Sequence, residues 1–310
     1  MEFTTLGRTE LKVSVVGLGC GGHSRLGTAQ GKPMAHGASI VRRALELGIN
    51  FIDTAAAYGT EPAVGAGIKG QRDQVVISTK AGIGSLGEFK TAAQVVTSLN
   101  ESLQHLGTDY IDVFNLHGVT TSEYDYAIDE ILPALKQQQA AGKIRYLGIT
   151  EAFIRDPDHQ MLRRALADDE FDVVMVGFNL LNPGARRTVF PVTQSSAVGT
   201  QIMFAVRRAL SQPGALRELI AELVDKGIVD DIDLTNPLGF VEEHPEVMSI
   251  VQAAYRFCRH EPGADVILTG TGNPDHLEAN VHSILAPPLP DSVKDELEKL
   301  FGKVDSVSGN

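Results

Sequence analysis

The sequence predicts an α/β fold, a parallel (β/α)8 barrel preceded by a β-hairpin, and three observations carry that prediction. Short apolar runs alternate with segments of helical spacing along the whole chain, and eight runs can be counted. The runs are apolar on both faces, as strands are when helices cover a parallel sheet. Three consecutive runs each deliver an ionisable side chain at, or just after, their carboxyl end. FID ends in Asp53 and leads on to Tyr58, VVIS leads into Thr79 and Lys80, and YIDVFNL leads into His117. In a barrel of parallel strands those ends converge on one face.

Each element follows from its local pattern. Residues 2–12 read as a hairpin with Gly7 and Arg8 at the turn. Val13 to Leu18 reads as the first strand. In Ala38 to Leu47 the residues Ile40, Val41, Ala44, Leu45 and Leu47 share a helix face, and Gly48 ends it. The second strand spans 51–53, a short helix begins near Pro62, and the third strand spans 75–78. Thr91 to Leu106 is an amphipathic helix ending at Gly107, followed by a strand at 110–116. Ala127 to Ala141 is helical, 144–149 is the fifth strand, and 158–166 is helical. Strands are expected at 173–176, 200–206 and 266–268, with helices at 213–225, 274–284 and 291–301. Right-handed crossovers make a closed barrel the simplest arrangement of these units. An open doubly wound sheet is the alternative, because Gly17, Gly19 and Gly22 match the letters of a dinucleotide fingerprint. No helix opens after them, however, and the fingerprint needs a helix N-terminus under the phosphates. The polar segment 227–244 reads as a pocket-shaping loop or a surface excursion. With no linker or repeat in view, residues 1–310 are expected to form one domain.

Composition narrows the function. The 310 residues are 43% hydrophobic, enough for a large core, and carry a formal net charge of −12. That balance argues against non-specific nucleic-acid or anionic-membrane binding, which needs a basic surface. Cys20 and Cys258 suit neither a disulfide framework nor a zinc site. The first residues are too polar for a signal peptide. No apolar run approaches the ~18 residues of a membrane span. A cytoplasmic protein is the expectation.

Asp, Tyr, Lys and His at one mouth suggest proton chemistry. A tyrosine, whose ordinary pKa is about 10, becomes a useful proton donor or acceptor when an ammonium stabilises its phenolate. Lys80 is the candidate ammonium, Asp53 would hold it charged, and His117 would polarise a carbonyl beside Tyr58. Together they fit carbonyl reduction, with Tyr58 giving the proton and a cofactor the hydride. Each alone has a plainer reading: Asp53 as a helix cap, Tyr58 as core, Lys80 as a solvated strand end, His117 as a rim histidine.

At these residues the sequence resembles the aldo-keto reductase family. The opening LGRTELKVSVVGLG, the signature-like DTAAAYGTE at 53–61, VVISTK, LGTDYIDVFNLH, GKIRYLGIT and GTGNPDHLEAN at 270–280 occur in the family's order and cover nearly the whole chain. The resemblance implies an oxidoreductase dependent on NAD(P)H, without metal or flavin, acting on an aldehyde, ketone or sugar, or on the matching alcohol. Its catalytic tetrad carries over to Asp53, Tyr58, Lys80 and His117.

The expected cofactor residues depart from the family pattern. Thr150 and Glu151 stand where a Ser-Asn pair usually holds the carboxamide, and Met175 replaces a glutamine. Phe204 matches the ring that stacks on the nicotinamide, and Arg207 or Arg208 would meet the pyrophosphate. At 270–280 the usual basic pair for a 2′-phosphate is missing, with Gly270, Asn273 and His276 at or near those places. Thr271, Gly272 and the first amides of the 274–284 helix are still expected to bind phosphate oxygens, and Asn280 the adenine. NADP(H) is therefore the expected cofactor, with NAD(H) possible. His23 and Arg25 in GGHSRL, and the segment 82–89, are expected to frame the substrate. The short polar tail after Lys303 points to small polar carbonyls or sugars.

Three other functions compete. A Schiff-base aldolase would explain Lys80 alone. A metal-dependent hydrolase would need clustered ligands at strand ends, and no His-x-His follows the first strand. A cofactor-binding regulatory or weakly catalytic barrel protein, a type the family includes, would fit the altered carboxamide contacts.

Overall fold

The computed structural model describes residues 1–85, 87–230 and 232–310. Leu86, within the 82–89 segment, and Asp231, within the 227–244 segment, lie outside the described residues. Eight parallel strands close into a barrel in chain order. We label them β1 (Val16–Gly19), β2 (Phe51–Asp53), β3 (Val76–Ala81), β4 (Ile111–Val119), β5 (Ile144–Glu151), β6 (Val173–Gly177), β7 (Gly199–Met203) and β8 (Val266–Thr269). β8 pairs with β1, Ile267 lying opposite Val16, and closes the ring. The open-sheet alternative is thereby excluded.

The antiparallel pair Phe3–Thr5 and Lys12–Ser14 plugs the amino-terminal end of the barrel. Leu6, Leu11 and Val13 pack there against the inward residues Phe51, Val76, Val113, Val173 and Val266. The run expected as one strand over 13–18 is thus two strands, broken at Val15, whose N–H turns to the Glu2 carbonyl at 3.1 Å. The outward residues of the strands, among them Ile52, Ile77, Phe114, Val174 and Ile267, pack into the main core under the helices.

Helices start and stop where the local chemistry directs. Thr91 and Gln94 form a reciprocal capping box for Ala92–Leu106, and Gly107 ends that helix at φ 67°, a conformation that favours glycine. The helices Pro213–Asp225, Pro274–Ile284 and Asp291–Phe301 have their expected bounds. The helix Ile250–Arg259 was not foreseen; Ser249 caps it by accepting from the Gln252 N–H. With Pro213–Asp225 and Asp291–Phe301 it forms a second apolar cluster around Leu216, Ile220, Val241, Leu297 and Phe301. The long segment after β7 is anchored through that cluster.

Four strands run past their expected ends into polar residues: β3 through Lys80 to Ala81, β4 through His117 to Val119, β5 through Glu151, and β8 to Thr269. β7 instead stops at Met203, because Phe204 takes a left-handed φ of 67°. No described helix is long and apolar enough to cross a membrane.

Candidate active site

The mouth of the barrel gathers the four ionisable residues from three neighbouring strands. Asp53 ends β2 and Lys80 lies near the end of β3, one strand over. The Lys80 ammonium donates to both Asp53 oxygens at 2.6 Å and to the Thr54 carbonyl at 2.9 Å. All three of its protons are thereby used. Lys80 is 1% exposed and Asp53 4%, so the pair is held out of water. Burial disfavours the ammonium, but Asp53 and Tyr58 outweigh it and hold the Lys80 pKa above its ordinary value. Burial also pushes the Asp53 carboxyl up, against the ammonium.

Tyr58 sits on the short turn Ala56–Tyr58 that follows β2. Its hydroxyl is 3.4 Å from His117 Nε2, and the two rings meet edge to face. Lys80 Nζ lies 5.3 Å from the Tyr58 ring centroid, and its hydrogen bonds go to Asp53 and Thr54, so its influence on the phenol is that of a nearby charge. Burial raises the Tyr58 pKa, and the pull of Lys80 in the other direction does not overcome it. Lys80 thus favours the phenolate in direction, as expected, while burial favours the protonated phenol more strongly. His117 is pushed down to about 3 by burial and by Lys80, which makes it a neutral imidazole with one N–H to give.

Beneath this layer lies a polar network with no counterpart in the sequence reading. Ser78 Oγ is 3.0 Å from Asp53 Oδ1 and 3.2 Å from Gln201 Oε1, and Asn115 Nδ2 donates to it at 3.0 Å. One hydroxyl proton cannot serve both acceptors. Turning the Gln201 amide over would let its NH2 donate to Ser78 and leave the proton to Asp53. Ser78 and Asn115 precede Lys80 and His117 by two residues, and strand periodicity puts them on the same inward face.

The remaining expected residues are spread around the rim. Thr150 Oγ1 accepts from the Gly118 N–H at 2.7 Å, leaving its own proton to donate. Glu151 turns away from that role: its oxygens lie 2.9 and 3.1 Å from His159 Nδ1, and Oε1 accepts from the Gly177 N–H at 2.7 Å. Met175 lies buried on β6, opposite Thr150 on one side and Gln201 on the other. Phe204 has the Arg207 guanidinium 3.9 Å from its ring centroid and Phe153 at 6.1 Å. A flat ring stacking on that face competes with Arg207. Among the described residues Arg207 has no carboxylate at ion-pair distance, and its Nε is buried without a hydrogen-bond partner. Arg208 is exposed and reaches Gln212.

After β8, Thr271 Oγ1 accepts from the Asn273 N–H at 3.1 Å, and Asn273 caps the next helix through the Asp275 N–H. Gly272 presses on the segment after β1, its carbonyl 2.7 Å from His36 Nε2. His276 is exposed. Asn280 turns inward and donates to Thr269 Oγ1 at 2.9 Å. An unpaired guanidinium, a threonine hydroxyl with a free proton and a helix N-terminus fit the phosphates of a dinucleotide. No three described His, Cys, Asp or Glu residues are grouped to hold a metal.

Gly21 fixes the position of the tyrosine. A Cβ there would stand 2.6 Å from Tyr58 Cζ and 2.8 Å from Cδ2. Gly21→Ala is expected to push the ring aside and to lower turnover by about 10²-fold, the scale of an ~1 Å misplacement. Steady-state kinetics with a simple aldehyde checks this, and an unchanged kcat would show that the ring has room.

Comparison with known proteins places the chain among similar sequences and folds. A family model described as the Aldo/keto reductase family matches residues 17–301. The aldo-keto reductase YhdN of Bacillus subtilis is 29% identical over 301 residues, which span 90% of this chain and 87% of that protein. L-galactose dehydrogenase of Arabidopsis thaliana is 38% identical over 158 residues, 48% of each chain. The solved structure of aldo-keto reductase AKR11C1 from Bacillus halodurans, in its holo form, superposes with a TM-score of 0.75 at 26% identity, covering 97% of this chain and 96% of that one.

Proposed function

The chain belongs to the aldo/keto reductase family, and from that premise we propose that it interconverts a small carbonyl compound and its alcohol, with Tyr58 as the general acid and base. The observation that carries this reading is the Tyr58 hydroxyl 3.4 Å from a neutral His117, with a buried Lys80–Asp53 pair against the tyrosine ring. In reduction Tyr58 donates its proton to the carbonyl oxygen, while the His117 N–H orients that oxygen. In oxidation the phenolate takes the alcohol proton. Asp53 fixes the ammonium, and Ser78 fixes Asp53.

A nicotinamide dinucleotide, when bound, supplies or accepts the hydride. Thr150, Phe204, Arg207, Thr271, Gly272 and the first turn of Pro274–Ile284 are the residues that would hold it. NADP(H) is the carrier we favour and NAD(H) the alternative. A 2′-phosphate would meet His276 and the helix N-terminus there, while the exposed Asp275 opposes it. We place the protein in the cytoplasm, acting as one domain over 1–310.

A second reading, a cofactor-binding barrel with little turnover, is favoured by Glu151 being committed to His159 and by Arg207 covering Phe204. A titration with NADPH and NADH, followed by steady-state assays on aldehydes, ketones, sugars and polyols, separates the two. Turnover with NADPH, and a lower affinity for NADH, is the expected result. Tight cofactor binding with no turnover on the panel would favour the second reading.

A further inference from the structure

We propose that Arg25 selects carbonyl substrates that carry an anionic group, a carboxylate or a phosphate, at the end away from the reacting carbon. This rests on the reading of Tyr58 as the proton donor. Arg25 is placed by the segment that meets Tyr58: Gly21 abuts the tyrosine ring, and one turn later the Arg25 N–H donates to the Gly21 carbonyl at 3.4 Å.

The backbone at this point is strained and held on both sides. Arg25 and Leu26 take left-handed φ values of 45° and 57°. Two successive non-glycine residues in that region persist only where their surroundings over-determine them, which is common at ligand clamps. Here Leu26 is buried in the core, Thr28 Oγ1 donates to the Arg25 carbonyl at 2.7 Å, and Gly27 is pressed against Gly272. The clamp fixes the backbone of Arg25 and leaves its head free. The side chain is exposed, and no described carboxylate pairs with it. Burial raises the Tyr58 pKa; Lys80 and, as the smallest of the named influences, the Arg25 charge oppose it.

A guanidinium in this position binds a carboxylate or phosphate with paired N–H donors. It would anchor the far end of a short acidic substrate while Tyr58 and His117 meet the carbonyl. A neutral substrate of the same length gains nothing from it.

The test compares matched aldehydes, butanal with succinic semialdehyde and glyceraldehyde with glyceraldehyde 3-phosphate, in the wild-type protein, Arg25→Gln and Arg25→Lys. The charged member of at least one pair is expected to be favoured in kcat/KM by about tenfold or more, the scale of one hydrogen bond to a charged group. The pair that shows it identifies the anion. Arg25→Gln is expected to abolish the preference, Arg25→Lys to keep part of it, and added salt to weaken it. Turnover without any preference, or a preference that Arg25→Gln does not change, would overturn the proposal. So would a loss of cofactor affinity in Arg25→Gln, which would assign the residue to the dinucleotide. Should no aldehyde be turned over, the reading of Tyr58 fails separately. Calorimetry with succinate and with inorganic phosphate on the cofactor-loaded protein then decides: binding lost in Arg25→Gln supports the anion site, and no binding overturns it.

Discussion

Tyr58→Phe is expected to lower kcat by about 10²–10⁴-fold, the range a positioned general acid contributes, while changing cofactor affinity by no more than about twofold. The substitution removes one oxygen and keeps the ring on which Gly21, Lys80 and His117 pack, so a loss of rate is a loss of the proton. The pH profile should carry the same signature. Burial holds the Tyr58 pKa above its ordinary 10.0, so reduction should lose its donor only as the pH climbs through that raised value. Oxidation needs the phenolate and should gain over the same alkaline range. His117, at about 3, stays neutral through the interval from about pH 5 to 8 in which a free histidine titrates. Single-turnover and steady-state rates of the variant, with a cofactor titration alongside, make the measurement. Turnover close to wild type in Tyr58→Phe would remove the tyrosine from the chemistry, and a clear step near pH 6.5 in the wild-type profile would mean that His117 ionises.

The barrel was legible because burial on both strand faces writes itself as apolar runs. The same signal misplaced the strand ends. A run stops being apolar where its side chains turn into the mouth, so Lys80, His117 and Glu151 were read as lying beyond strands that in fact continue through them. Hydrogen bonding between strands does not depend on side-chain polarity, and Lys80 still pairs in register with Asn115. The opposite error at β7 has a local cause, the left-handed backbone at Phe204, which an apolar run does not reveal. The helix Ile250–Arg259 did leave a trace, since Ser249 three residues before Gln252 is a capping pattern.

The site was legible to the same depth. The residues at strand ends were found one by one, and the layer beneath them was missed although period two predicts it: Ser78 lies two before Lys80 and Asn115 two before His117. Glu151 shows a different limit. Its letter suggested a carboxamide acceptor, but its partner His159 is eight residues on and was not read as functional, and it is this buried pair that takes both oxygens. Phe153 adds to the same knot, stacked on His159 at 5.4 Å and filling the space over Gly177. The Glu151–His159 pair closes within the connection between β5 and the next helix, where His159 takes a left-handed φ of 62°, a backbone turn that the letters do not reveal.

Lys80→Met is expected to destabilise the fold by about 3–5 kcal/mol, the cost of leaving one member of a buried ion pair alone. The ammonium makes three hydrogen bonds to Asp53 and Thr54, and both charged groups are almost wholly out of water. Without it Asp53 keeps only the Ser78 hydroxyl. The sign of the pH dependence follows. Burial already raises the Asp53 pKa in the presence of Lys80, and loss of the ammonium raises it further above its unfolded value. A carboxyl with a raised folded pKa contributes stability that is present below its unfolded pKa and lost as the pH rises through the folded one. The deficit of Lys80→Met should therefore be larger at pH 7 than near pH 4. The double variant Asp53→Asn/Lys80→Met removes both charges, keeps an acceptor for Ser78, and should recover most of the loss. Urea unfolding of the three proteins at both pH values measures this. A single variant that loses less than about 1 kcal/mol, the scale of an exposed pair, or a double variant no better than the single one, would show that the charges at the base of the site are not held as a pair.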